Sequence, residues 1–76
     1  MPLAFVLINT ETGSEDEVIK QLRKISNVTE CNSIYGVYDI VAKVETDNMD
    51  NLKEIITEKM RRLDKVRSTL TLIEIE

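Results

Sequence analysis

The residues best suited to bind a small polar molecule fall in two short stretches, Gly36-Val37-Tyr38-Asp39 and Arg67-Ser68-Thr69-Leu70-Thr71. Gly36 permits unusual dihedrals and leaves backbone amides accessible. Asp39 supplies a carboxylate. Thr69 and Thr71, two positions apart, place their hydroxyls on one face of a strand. Carboxylate, hydroxyls and free amides together are the groups that hold a zwitterion such as an amino acid. The plain alternative is a turn glycine followed by threonines that suit a strand. Spacing alone leaves both readings open.

Other chemistry is poorly provided for. The chain has no histidine and one cysteine among its 76 residues, so the common zinc and copper ligand sets and an internal disulfide are both missing. No metal site or cofactor is expected. Cys31 has no histidine to activate it, and a cysteine in a strand usually serves as a small apolar filler. Asp39 beside Tyr38 can be imagined as a general base, or as a small enzyme's perturbed group. An aspartate beside a turn more often bonds backbone amides. Lys59, Arg61, Arg62, Lys65 and Arg67 form a basic cluster, diluted by Glu58 and Asp64. It offers charge for an anion, but reads better as the solvated end of a helix complementing the negative dipole terminus.

The net charge of −4 makes the chain a poor partner for nucleic acid. Three aromatics, Phe5, Tyr35 and Tyr38, do not make an RNA-stacking sheet. The apolar start, Met1 to Ile8, is too short to span a membrane and lacks the basic beginning of a signal peptide. The lone cysteine suits a reducing cytoplasm.

The elements that must carry these residues follow from the hydrophobic pattern. Residues 3–10 form a nearly continuous apolar strand. Ser14 and Glu17 have capping-box spacing, and Val18, Ile19, Leu22 and Ile25 then make one helical stripe ending at Ser26-Asn27. Residues 28–35 and 38–45 read as a hairpin turning at Gly36. Asp47 or Asn48 caps a second helix carrying Met49, Leu52, Ile55, Ile56, Met60 and Leu63. Residues 66–75 give a fourth strand. The order βαββαβ predicts an α+β, ferredoxin-like domain: a four-stranded antiparallel sheet with both helices on one face.

One consequence concerns assembly. Phe5 and Leu7 point one way along the first strand, while Ala4, Val6 and Ile8 point the other. Helices can cover only one of these sets. A chain this small needs additional burial, and a second copy on the open sheet face is the simplest source.

With these elements in place, the chain resembles the effector domain of the Lrp/AsnC transcription regulators, the RAM (regulation of amino acid metabolism) module. The likeness runs from the apolar first strand through the Gly-x-Tyr-Asp hairpin at Gly36–Asp39 and Ile40-Val41-Ala42-Lys43-Val44. It continues to Val66-Arg67-Ser68-Thr69-Leu70-Thr71, similar to the family's Val-x-x-Thr-x-Thr. The resemblance implies a single effector domain over residues 1–76, with no room for a helix-turn-helix domain. It implies dimers packed through their sheets into an α/β sandwich, assembly of these into rings, often octamers, and amino-acid effectors bound between neighbouring dimers. Gly36, Tyr38, Asp39, Thr69 and Thr71 would then be ligand-binding residues, with Asp39 facing an ammonium group and the threonines a carboxylate. The implied role is non-enzymatic: a sensor, or a module that joins full-length relatives. A purely structural interaction module is the alternative.

Overall fold

The computed structural model describes residues 2–75. Strands β1 (Leu3–Thr10), β2 (Val28–Ser33), β3 (Ile40–Glu45) and β4 (Val66–Glu74) form one sheet in the order β2-β3-β1-β4, with every neighbouring pair antiparallel. Helices α1 (Glu15–Leu22) and α2 (Met49–Glu54) fill the two crossovers. This is the ferredoxin-like arrangement expected from the element order.

Alternation along β1 decides where the core sits. Ala4, Val6 and Ile8 are fully buried, as are Ile40, Ala42 and Val44 on β3, and they meet Val18, Ile19 and Leu22 of α1. Leu52, Ile55, Ile56 and Met60 complete this layer from the second helix. Cys31 lies buried in the same cluster, a filler on the helix side of β2. The opposite face carries Phe5 and Leu7 of β1. Register places Leu72 directly across from Phe5, and both Leu70 and Val41 across from Leu7. Phe5, Leu70 and Leu72 are exposed. Strand β1 is therefore buried on one face only within a single chain.

The helix starts differ from each other and, in one case, from the sequence reading. The Ser14 side chain makes no capping bond; its φ of −105° and ψ of 8° are set by the preceding turn. In that turn Ser14 N–H donates to the Glu11 carbonyl at 2.9 Å, and Gly13 adopts φ +81°. A side chain would be strained at Gly13. The capping box expected at Ser14 and Glu17 is thus not formed. Of the two residues offered as cap for the second helix, Asn48 fills the role: its Oδ1 accepts from Asn51 N–H at 2.8 Å. Asn48→Ala should cost about 1 kcal/mol in urea unfolding, and Ser14→Ala less than about 0.5 kcal/mol.

The second helix widens in its latter half. Residues Ile55–Met60 are π-helical, closing with Arg61 N–H bonded to Ile56 O at 3.1 Å. The Thr57 hydroxyl bonds the Lys53 carbonyl at 2.8 Å, the kind of side-chain competition that loosens a helical ladder. Ile55, Ile56 and Met60 of this segment all reach the core, while Lys59 stays exposed. At the other end, Arg62 pairs with Glu58 at 3.3 Å, both well exposed, so that part of the basic cluster is a solvated helix end.

The hairpin is shorter in ladder than expected. β2 stops at Ser33 and β3 begins at Ile40, against expected limits of 35 and 38. The Ile34 N–H still donates to Asp39 O at 2.9 Å, leaving Tyr35–Tyr38 as the loop.

Candidate ligand-binding site

The C-terminal end of β1 meets the start of β3, the start of β4 and the β1–α1 turn at one end of the sheet. Between them lies an open cleft of about 630 Å³, lined by Asn9, Thr10, Thr12, Glu15, Val37, Asp39, Arg67 and Ser68. That volume falls within the range of small-molecule sites, about 300–1,000 Å³.

Asp39 is the most firmly held of these. Its N–H donates to Ile8 O at 3.0 Å, its carbonyl accepts from Ile34, and its Oδ2 accepts from Thr10 N–H at 3.0 Å. The carboxylate therefore caps the end of the β1 ladder and keeps its second oxygen for another partner. Across the cleft, Asn9 Nδ2 donates to Ser68 Oγ at 3.3 Å. The Glu11 N–H donates to Lys65 O at 2.9 Å, fastening the turn beside β4.

β4 enters the cleft through an irregularity. Asn9 pairs with Ser68 but Thr10 pairs with Val66, so Arg67 is an extra residue without a ladder partner, a β-bulge. The bulge keeps Val66 packed against the core and sends an exposed Arg67 to the cleft wall. The cleft thus holds two carboxylates, Glu15 and Asp39, one guanidinium, and the hydroxyls of Thr10, Thr12 and Ser68. Among the described residues Arg67 makes no ion pair within 4.0 Å.

Of the five candidate ligand-binding residues, Asp39 alone lines this cleft, joined by Val37, Arg67 and Ser68 from the same two stretches. Gly36 and Tyr38 belong to the adjoining loop but do not line it. Gly36 does not have the left-handed backbone expected of a turn glycine, and a Cβ there would meet nothing within 4 Å. Tyr38 is half-buried, whereas its loop neighbours Tyr35 and Val37 stand out into solvent. Thr69 and Thr71 share a face as expected. Their register partners, Ile8 and Val6, put that face on the helix side, half-buried on an edge strand and outside the cleft lining. Glu15 and Thr10 are not among the sequence candidates, and Arg67, although in the second stretch, reads there as part of a basic helix end. Only the strand register, which brings residues 10, 15, 39 and 67 to one end of the sheet, could have revealed them.

Fold and cleft together define a ferredoxin-like domain with an open polar cleft at one end of its sheet. The profile of the Lrp/AsnC ligand binding domain matches residues 3–76. The chain belongs to the Lrp/AsnC family of transcription regulators, through their ligand-binding domain. An uncharacterized HTH-type transcriptional regulator of Pyrococcus furiosus is 36% identical over 73 residues, covering 92% of this chain and 49% of that protein. The chain spans about half the length of the curated relatives it matches. Among solved structures, a hypothetical protein from Pyrococcus horikoshii is 41% identical with a TM-score of 0.93, covering all of this chain and 92% of that one. A feast or famine regulatory protein from M. tuberculosis, solved in complex with L-methionine, is 26% identical with a TM-score of 0.81. There the match covers all of this chain and 51% of that one. Among the described residues no helix is long and apolar enough to cross a membrane.

Proposed function

We propose that this chain is a non-enzymatic regulatory module that binds an amino acid and acts as an assembly of its own copies. The observation that carries the reading is the match to the Lrp/AsnC ligand binding domain over residues 3–76. The cleft supports it, offering both signs of charge to a zwitterion. So does the L-methionine bound to the M. tuberculosis relative.

In this proposal the exposed Phe5, Leu70 and Leu72 face is covered by a second copy, and such dimers build larger rings, up to octamers. The ligand sits between subunits. Asp39, Gly36 and Tyr38 come from the hairpin end of one subunit, and Thr69 and Thr71 from the half-exposed β4 edge of a neighbour. The open space at Gly36 leaves room for such a close approach. Partners include full-length Lrp/AsnC relatives joined through the same sheet face. Nucleic acid is not contacted directly, the cofactor requirement is none, and the setting is the cytoplasm. A catalytic role is disfavoured because Cys31 is packed in the core and one oxygen of Asp39 is already committed to Thr10.

Thermal melting of the purified protein against the twenty amino acids at millimolar concentration tests the reading. A ligand at 100 times its dissociation constant adds about 2.7 kcal/mol. For a domain of this size each kcal/mol raises the melting temperature by roughly 4–8 °C. One or a few amino acids should produce such a shift, with aspartate and glutamate producing the least because Glu15 and Asp39 repel them. No shift for any amino acid would remove the sensing function and leave an interaction module.

A further inference from the structure

We infer that Arg67 is the carboxylate-binding residue of this cleft, with the Thr10 hydroxyl as a second donor and Asp39 and Glu15 receiving the ammonium end. The inference rests on the proposed amino-acid-binding function, and it gives the ligand's carboxylate to Arg67 and Thr10 in place of a neighbour's Thr69 and Thr71.

Arg67 owes its position to the bulge. In an unbroken ladder residue 67 would lie opposite Thr10 and face the helices. As the extra residue it has no ladder partner, and its side chain reaches the cleft wall. Two carboxylates line the same cleft, yet Arg67 pairs with neither within 4.0 Å. A positive and a negative pole left apart across one cleft match an α-amino acid, whose carboxylate and ammonium groups bridge them. Guanidinium binds carboxylate through two parallel, charge-assisted hydrogen bonds, each roughly twice as strong as a neutral one.

Thr10 is the independent observation. It is 5% exposed, and its Oγ1 is the one buried side-chain oxygen or nitrogen without a hydrogen-bond partner among the described residues. A buried hydroxyl left unpaired is unfavourable and calls for a partner. Its own N–H is already given to Asp39, so the hydroxyl is the group still available at this end of β1. Thr10 lines the same cleft as Arg67, and on this proposal a bound carboxylate supplies the missing partner.

Calorimetric titration separates this assignment from the function it rests on. Each amino acid that stabilises the protein is titrated beside its α-carboxamide, which keeps the ammonium group and loses the carboxylate charge. Wild type should favour the free acid. Arg67→Gln should weaken the acid tenfold or more while leaving the carboxamide nearly unchanged, so that the preference disappears. Arg67→Lys should restore part of it, and Thr10→Val should cause a smaller loss of the acid alone. Circular dichroism checks folding, and Arg67, exposed and outside the ladder, is replaceable without disturbing the sheet. If Arg67→Gln binds the acid as wild type does, or keeps its preference over the carboxamide, the assignment is overturned while amino-acid binding stands. If no amino acid binds wild type, the function and the assignment fall together.

Discussion

Leu70→Lys is expected to reduce the assembled protein to single chains in sedimentation velocity while preserving its circular dichroism spectrum. Leu70 lies on the open face, directly across from Leu7, in line with Val41 beyond it. Leu72 and Phe5 extend the apolar patch by one more cross-strand pair. At 43%, 50% and 37% exposure, Leu70, Leu72 and Phe5 contribute little to the fold of one chain and much to a surface that another chain can bury. A lysine on the outer strand β4 can keep its ammonium in water in the monomer. Between two packed sheets it must be desolvated without a partner, at a cost of several kcal/mol. Wild type should also melt at a temperature that rises with protein concentration, as a coupled dimer does, and the variant should not. An unchanged mass for Leu70→Lys would show that copies associate through some other surface.

Ile8→Ala should come close to unfolding the chain. Ile8 is fully buried on a central strand, pairing with Ile40 on one side and Thr69 on the other. Truncating such a side chain costs about 2–5 kcal/mol, the transfer term plus the cavity left behind. At 0.05–0.15 kcal/mol per residue, a domain of 76 residues has about 4–11 kcal/mol in total. The loss should appear in urea unfolding as a midpoint lowered by about a fifth or more of its value. Ile8→Val should cost only about 0.5–1.5 kcal/mol. The same substitution also loosens the backbone that receives Asp39 N–H, so ligand stabilisation should weaken with it. A loss below about 1 kcal/mol for Ile8→Ala would mean that the layer between sheet and helices is not the main source of stability.

The strands and their faces were legible because burial has a simple period. Ala4, Val6 and Ile8 against Phe5 and Leu7 announce two apolar faces, and the structure buries the first set and leaves the second open. The helix stripes were legible for the same reason. What escaped depends on geometry that no local pattern contains. Ser14 and Glu17 have the spacing of a capping box, but Gly13 sets a turn that brings Ser14 into the helix at the wrong dihedrals. The widened turn at Ile55–Met60 buries nearly the residues that an α-helix would, so the pattern could not distinguish them. At the cleft, Asp39 stood out because it borders a turn. Glu15 read as a helix-dipole residue and Arg67 as part of a basic cluster. Each reading is locally sound, and only the pairing of β1 with β4 brings them to one cleft.

The sheet's irregularities also bear on how copies of the chain meet. Arg67 interrupts the pairing of β4, and on the other outer strand Val28 pairs with Val44 but Glu30 with Lys43, so Thr29 is likewise extra. β2 and β4 are the sheet's two edges, where unpaired amides and carbonyls would otherwise template a foreign strand. A bulge near one end of each breaks that template and twists it away from a flat approach. In the proposed assembly the face receives another copy, while the edges discourage strand-to-strand pairing. Such an assembly is steered toward closed complexes of fixed size and away from fibrils.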